Sequence, residues 1–203
     1  MNLETLQDTD NYIIEELDLS PENIELINYK NDYVKLTFAQ DFEENKIYTI
    51  NINNVTNCKD IPLEDEINAR FGIPSEASRS DIIINEILFN PISPGVEYLE
   101  LYNRSDKVID LKEFMFGTIK QSFPNPPDTA LKEICSESRI ILPQSYVLLS
   151  LDKEIVIEQY YDIVPDPVPN FLDVEAFPSL PNEEGHVIIC DKGRVMIDEM
   201  RYS

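Results

Sequence analysis

The sequence predicts an all-β protein of two tandem sandwiches, and three observations carry that prediction. Residues 81–103, DIIINEILFNPISPGVEYLELYN, hold two apolar runs on either side of a short Pro/Gly turn, the pattern of paired strands. Residues 11–55 repeat that pattern in four short runs. The breaks between those runs are Ser20-Pro21-Glu22-Asn23, Asn31-Asp32 and Glu43-Glu44-Asn45, residue types that close tight turns. With 203 residues and 42% hydrophobic content, the chain has enough apolar mass for sizeable cores.

In order, the first strands are expected at Tyr12–Leu17, Ile24–Tyr29, Tyr33–Phe38 and Lys46–Val55. Two of them alternate cleanly: Val34, Leu36 and Phe38 oppose Tyr33, Lys35 and Thr37, and Tyr48, Ile50 and Ile52 oppose Thr49, Asn51 and Asn53. Because successive side chains on a strand point to opposite faces, each has one packed face and one wet face. The polar stretch from Asn57 to Ser80, with charged Leu63–Arg70, reads as a last strand and a linker, with a boundary near Pro74. In Val96–Asn103, Leu99 and Leu101 share one parity, so a strand buries them and turns Tyr98, Glu100 and Tyr102 to the other face. Asp152 suits the N-cap of a short helix to Tyr161, and Pro165, Pro167 and Pro169 then enforce an extended path.

These residues resemble two known families. Lys46-Ile47-Tyr48-Thr49-Ile50-Asn51-Ile52-Asn53-Asn54-Val55 is similar to the closing strand of a bacterial immunoglobulin-like domain, although the Gly-Asn that normally follows is replaced by Asn57-Cys58-Lys59-Asp60. From about Asp81 to Ser203 the chain resembles the lamin tail domain, an immunoglobulin-like β-sandwich. The likeness rests on Ile84-Asn85-Glu86-Ile87, Glu97-Tyr98-Leu99-Glu100-Leu101-Tyr102-Asn103 and Ile109-Asp110-Leu111. It continues in Leu142-Pro143 with Tyr146-Val147-Leu148-Leu149, Leu180-Pro181-Asn182 with Gly185, Asp191-Lys192-Gly193 and Ile197-Asp198-Glu199. Tyr98 and Phe114 stand where that family commonly has Trp, and Thr118–Ser138 has no evident family counterpart.

The resemblances imply residues 1–74 as a partial immunoglobulin-like domain with its linker and 75–203 as a lamin-tail-like sandwich. They further imply a non-catalytic adhesion, binding or spacer module of a secreted or cell-surface bacterial protein, with an extracellular protein or polysaccharide as partner. The alternative they leave is an accessory module of an exported hydrolase or nuclease whose catalytic domain lies elsewhere on a longer chain. Only about ten residues precede Asn11-Tyr12, where such immunoglobulin-like domains carry two more strands. The chain is therefore expected to be part of a longer protein, with a secretion signal upstream.

Charge narrows the partners. Asp and Glu total 39 against 16 Lys and Arg, a formal net charge of −23, so the surface repels phosphate and nucleic acid is not expected to bind. No heptad rod of the kind that precedes a nuclear lamin tail is present. No run of 18 apolar residues occurs, so no membrane insertion is expected.

The chemistry-bearing residues are sparse. His186 is the sole histidine, beside Glu183 and Glu184, and without a nucleophile motif it reads as an exposed turn residue. The carboxylate pairs Glu97 with Glu100, Asp110 with Glu113 and Asp198 with Glu199 suit glycoside hydrolysis only if a pair faces one cleft, and a solvated surface is the simpler expectation. No cofactor is expected. Calcium is the one metal considered, through Asp60, Glu64, Asp65 and Glu66 in the linker or Asp162, Asp166 and Asp173 in the Pro-rich loop, where plain solvated charge is again simpler. Cys58, Cys135 and Cys190 are too few and scattered for zinc; separate buried thiols are favoured over a Cys135–Cys190 bridge. Exposed aromatics complete the set. Tyr98 and Tyr102 flank Glu100, and Tyr160-Tyr161 adjoin the Pro-rich loop, where they could stack on a sugar or anchor a protein; core residues with their hydroxyls satisfied are the favoured reading.

Overall fold

A computed structural model describes residues 1–27, 33–62, 67–120, 128–160 and 170–203. The chain is mostly β and divides into two compact units, Met1–Ile73 and Pro74–Ser203.

In the first unit a short helix, α1 (Leu3–Leu6), leads into strand β1 (Tyr12–Ile14). Asn2 caps α1 by accepting from Glu4 N at 3.0 Å. Strands β2 (Asn23–Leu26) and β3 (Val34–Thr37) form an antiparallel ribbon, while β4 (Ile47–Ile52) lies between β1 and β5 (Ile67–Gly72). The alternation expected of β3 and β4 packs Val34, Leu36, Ile50 and Ile52 around buried Leu6, Tyr12, Ile24 and Val55. Tyr12 is 1% exposed, and its Oη donates to the Leu6 carbonyl at 2.8 Å, so the buried hydroxyl keeps a partner. Phe42 packs edge-on against Phe38, Tyr48 and Phe71.

One expected strand is shorter than its apolar run. Tyr12–Leu17 stops at Ile14, and Glu15–Leu17 turns as a 3₁₀ helix ended by Asp18 in the left-handed region at φ 47°. The cause is local. Glu16 accepts from Thr49 N at 3.0 and 2.8 Å, and Glu15 accepts from Asn51 Nδ2 at 2.6 Å, so carboxylates rather than backbone groups bind the edge of β4 there.

The second unit is a sandwich. One sheet runs in the order β13 (Asn170–Asp173), β12 (Tyr146–Ser150), β7 (Tyr98–Asn103), β6 (Ile82–Leu88). The other runs β10 (Asp128–Glu133), β9 (Phe114–Lys120), β14 (Gly185–Asp191), β15 (Met196–Tyr202), and a two-stranded ribbon joins β8 (Ile109–Asp110) to β11 (Ile140–Ile141). Ile84, Leu99, Leu101, Val147 and Leu149 from the first sheet meet Phe114, Phe116, Val187, Ile189 and Ile197 from the second in one core. Leu101, Leu149, Phe116 and Ile189 are each 0% exposed there. The stretch Thr118–Ser138 therefore carries β9 to Lys120 and returns as β10, paired from Asp128↔Lys120 to Glu133↔Met115.

Helix α2 (Lys153–Tyr160) forms where Asp152 marked its start: the Asp152 carboxylate accepts from Glu154 N at 3.1 Å and Ile155 N at 3.3 Å. It lies on the outer face of the first sheet, where Val156 packs on Tyr98 and Leu148. Tyr161 and the prolines at 165, 167 and 169 lie outside the described residues. Among those described, no helix is long and apolar enough to cross a membrane.

Candidate functional site

The residues with most to offer a partner gather on the outer face of the β13-β12-β7-β6 sheet, and a β-bulge builds that face. Ile84 and Ile87 both point into the core, yet two residues, Asn85 and Glu86, stand between them. The β6–β7 register shifts at this point, from Ile84↔Leu101 to Glu86↔Glu100. The extra residue turns Asn85 and Glu86 outward together, and both are exposed. Asn85 Nδ2 donates to Glu100 at 2.7 Å, while the Tyr98 hydroxyl donates to Glu86. Glu100 and Glu86 thus face each other across the ladder as neighbouring carboxylates. Burial, then the Glu86 charge, pushes the Glu100 carboxyl above its ordinary range, against the lowering bond from Asn85.

One step along β7 the face becomes aromatic. Tyr102 pairs with Tyr146 of β12, and their rings stack with centroids 4.5 Å apart at 30°. Tyr146 is 38% exposed. Gln144 anchors the Tyr102 hydroxyl. At φ 55° it occupies the left-handed region, accepts from the Tyr102 hydroxyl and donates through Nε2 to the Arg104 carbonyl at 2.9 Å. Arg104 follows Tyr102 at the same parity, and its charge acts on Asp81 at the far end of the strip.

The structure separates the two tyrosines expected to act together. Tyr102 remains half-buried on the face, whereas Tyr98 is 6% exposed beneath α2, and Tyr160 Oη is occupied as an acceptor from Ile92 N at 3.2 Å. Asn85, Glu86 and Tyr146 enter the sequence reading only as parts of the resemblance motifs, not as candidate site residues, and Gln144 does not enter it. The consecutive polar pair Asn85-Glu86 inside an apolar strand was the readable signal for the bulge. Tyr146 had none, because cross-strand register over 44 positions is not written in local pattern.

The carboxylate pairs do not converge as pairs. Asp198 and Glu199 alternate on one strand, Asp198 accepting from Ile84 N at 2.8 Å and Glu199 meeting His186 Nε2 at 2.7 Å. Glu97 reaches toward Leu180 N at 3.4 Å, on the opposite side of the strand from Glu100, and burial raises its carboxyl. Asp110 caps the turn at Lys112 N (3.0 Å) and holds Arg139 N (2.9 Å) and Ser138 Oγ (2.6 Å). His186 is not an exposed turn residue. It lies within β14, its side chain 15% exposed against Glu199, because that strand starts at Gly185. A cleft of about 520 Å³ passes beside it, lined also by Lys120, Arg201 and Tyr202.

Of the calcium candidates, Asp60 accepts from Asn2 Nδ2 at 2.7 Å, and Asp173 accepts from Lys153 N at 2.8 Å with Lys153 Nζ at 3.8 Å. Glu64, Asp65, Glu66, Asp162 and Asp166 lie outside the described residues. Among those described, no group of three or more metal-ligating side chains gathers. All three cysteines are free thiols, Cys190 buried and Cys135 partly buried, but Cys58 is exposed, against the burial expected of it. Burial, with the Asp110 charge second, pushes the Cys135 thiol up to about 11, and burial also raises Cys190.

No protein-family model matches the chain, and no curated protein matches it either.

Proposed function

We propose that this chain is a non-catalytic binding or adhesion module of a secreted or cell-surface bacterial protein, a lamin-tail-like sandwich preceded by part of an immunoglobulin-like domain. The observation that supports it best is the outer sheet face on which Tyr102 and Tyr146 stack beside the bulged Asn85-Glu86 and Glu100. A half-open aromatic pair rimmed by fixed polar groups is the composition of contact surfaces, where tyrosine supplies apolar area at low entropic cost. The polar groups there are fixed by hydrogen bonds to one another, an arrangement that suits holding a partner. The motifs shared with the lamin tail domain and the acidity of the chain favour an extracellular protein or polysaccharide over nucleic acid.

The test is adhesion. Beads coated with the chain are expected to bind cell or matrix surfaces, and Tyr102→Ala and Tyr146→Ala, once shown to fold by their thermal transitions, are expected to cut retention several-fold. Retention unchanged in both variants rejects this face as the binding surface.

A further inference from the structure

The composition of this face narrows the class of partner it takes. Its two carboxylates, Glu86 and Glu100, are opposed in register, and among the described residues they are bonded to neutral groups, the Tyr98 hydroxyl and the Asn85 amide. Among the described residues no salt bridge neutralises either one, whereas Asp81, Asp173, Glu25 and Glu43 each have a lysine. Beside them lie the stacked rings of Tyr102 and Tyr146, whose faces carry the negative end of the aromatic quadrupole. Glu100 is only partly exposed, so its charge is less screened than one in bulk water. The chain around them carries a net −23.

An anionic ligand meets repulsion from both carboxylates. A neutral one leaves them unpaired and partly desolvated, which is costly. A cation answers all the groups at once, its charge between Glu86 and Glu100 and its flat or methylene portion over the tyrosine rings.

We infer that the face formed by Tyr102, Tyr146, Glu100 and the bulged Asn85-Glu86 docks an arginine or lysine side chain presented by a basic protein partner. The inference rests on the binding-module reading above and adds the charge of the ligand. Arginine suits the geometry better than lysine, because a planar guanidinium can stack on a ring while its N–H groups reach a carboxylate. At the end of the strip Arg104 and Lys107 surround Asp81, so the cation-accepting part is confined to the Glu100 end.

The experiment is an NMR titration of the ¹⁵N-labelled chain with the peptide acetyl-Gly-Arg-Gly-Arg-Gly-amide and with its isostere in which citrulline replaces each arginine. Amide shifts are expected to concentrate at residues 85, 86, 100, 102 and 146 with the arginine peptide and to be at least fivefold weaker with citrulline. Glu100→Gln and Glu86→Gln, which preserve shape and hydrogen-bonding capacity, are each expected to weaken binding three- to tenfold, and Tyr146→Ala by a similar factor. Glu183→Gln, away from this face, is expected to leave it unchanged.

Equal binding of the citrulline peptide at the same residues, or a neutral oligosaccharide that competes there and depends on Tyr146, overturns the cationic class while leaving the face as a binding surface. Shifts spread over the acidic surface and indifferent to Tyr146→Ala overturn both.

Discussion

The side-chain amide of Asn103 donates to the Lys107 carbonyl at 2.7 Å, and the same nitrogen lies 3.2 Å from the Ile141 carbonyl and 3.1 Å from that of Leu142. Its oxygen accepts from Ser105 N at 3.1 Å and Ser105 Oγ at 2.7 Å. One residue with 0% exposure thus ties the end of β7 to the following turn and to the end of β11. Asn103→Ala is expected to cost about 2–3 kcal/mol, since buried carbonyls lose their donor. Asn103→Asp should cost more at neutral pH and recover as pH falls, because a carboxylate aimed at three carbonyls is relieved by protonation. Urea unfolding across pH reads both; equal stability of wild type and Asn103→Ala removes the amide from its structural role.

Asp81 supplies a pH-dependent contribution of the opposite sign. Burial alone would raise its carboxyl. The hydrogen bond from Lys107 Nζ at 2.8 Å, the bond from Ser78 N at 2.7 Å and the charges of Lys107 and Arg104 outweigh that, and hold it below the ordinary range. A lowered folded value stabilises fully above the unfolded value near 3.9 and is lost as pH falls through the folded one. Asp81→Asn is expected to cost about 1 kcal/mol at pH 7, the discount reflecting partial exposure. The gap between variant and wild type should narrow progressively in melts as pH falls below the unfolded value, and a gap independent of pH contradicts the ionic origin.

The thiols should differ sharply in reactivity. Cys58 is exposed, while Cys135, pushed up to about 11, and buried Cys190 are almost wholly protonated at pH 8. In the folded state at pH 8, iodoacetamide followed by peptide mass mapping is expected to label Cys58 in minutes and the other two only after unfolding. Fast labelling of Cys190 means that β14 opens on that timescale.

Gly117 lies where β10 crowds β9. A Cβ added there collides with the Ala130 carbonyl oxygen and approaches Leu131 Cα, both of them backbone. Because backbone cannot rotate aside, Gly117→Ala is expected to cost about 2 kcal/mol. Hydrogen exchange should quicken first along β10, the outer strand of that sheet.

Local patterns made much of this fold legible. Leu99 and Leu101 are both in the core as their parity required, at 1% and 0% exposure, and Asp152 caps α2. Val34, Leu36, Ile50 and Ile52 pack on the side their alternation assigned. Long-range partners were not legible. Tyr98 has the parity of a surface residue and lies on the outer face, but α2 covers it, and nothing near position 98 announces a helix that begins at Lys153. Tyr146 joined the aromatic face only through antiparallel register with Tyr102. The shortening of β1 at Ile14 likewise depended on where Glu15 and Glu16 found donors on β4.

The supernumerary residue at Asn85 separates the composition of the outer face from that of the core. Since Ile84 and Ile87 keep their places on either side of it, this site can gain, lose or exchange polar groups while the hydrophobic interior stays as it is. On the proposed reading, a substitution at Asn85 changes what this face contacts without repacking Ile84 or Ile87.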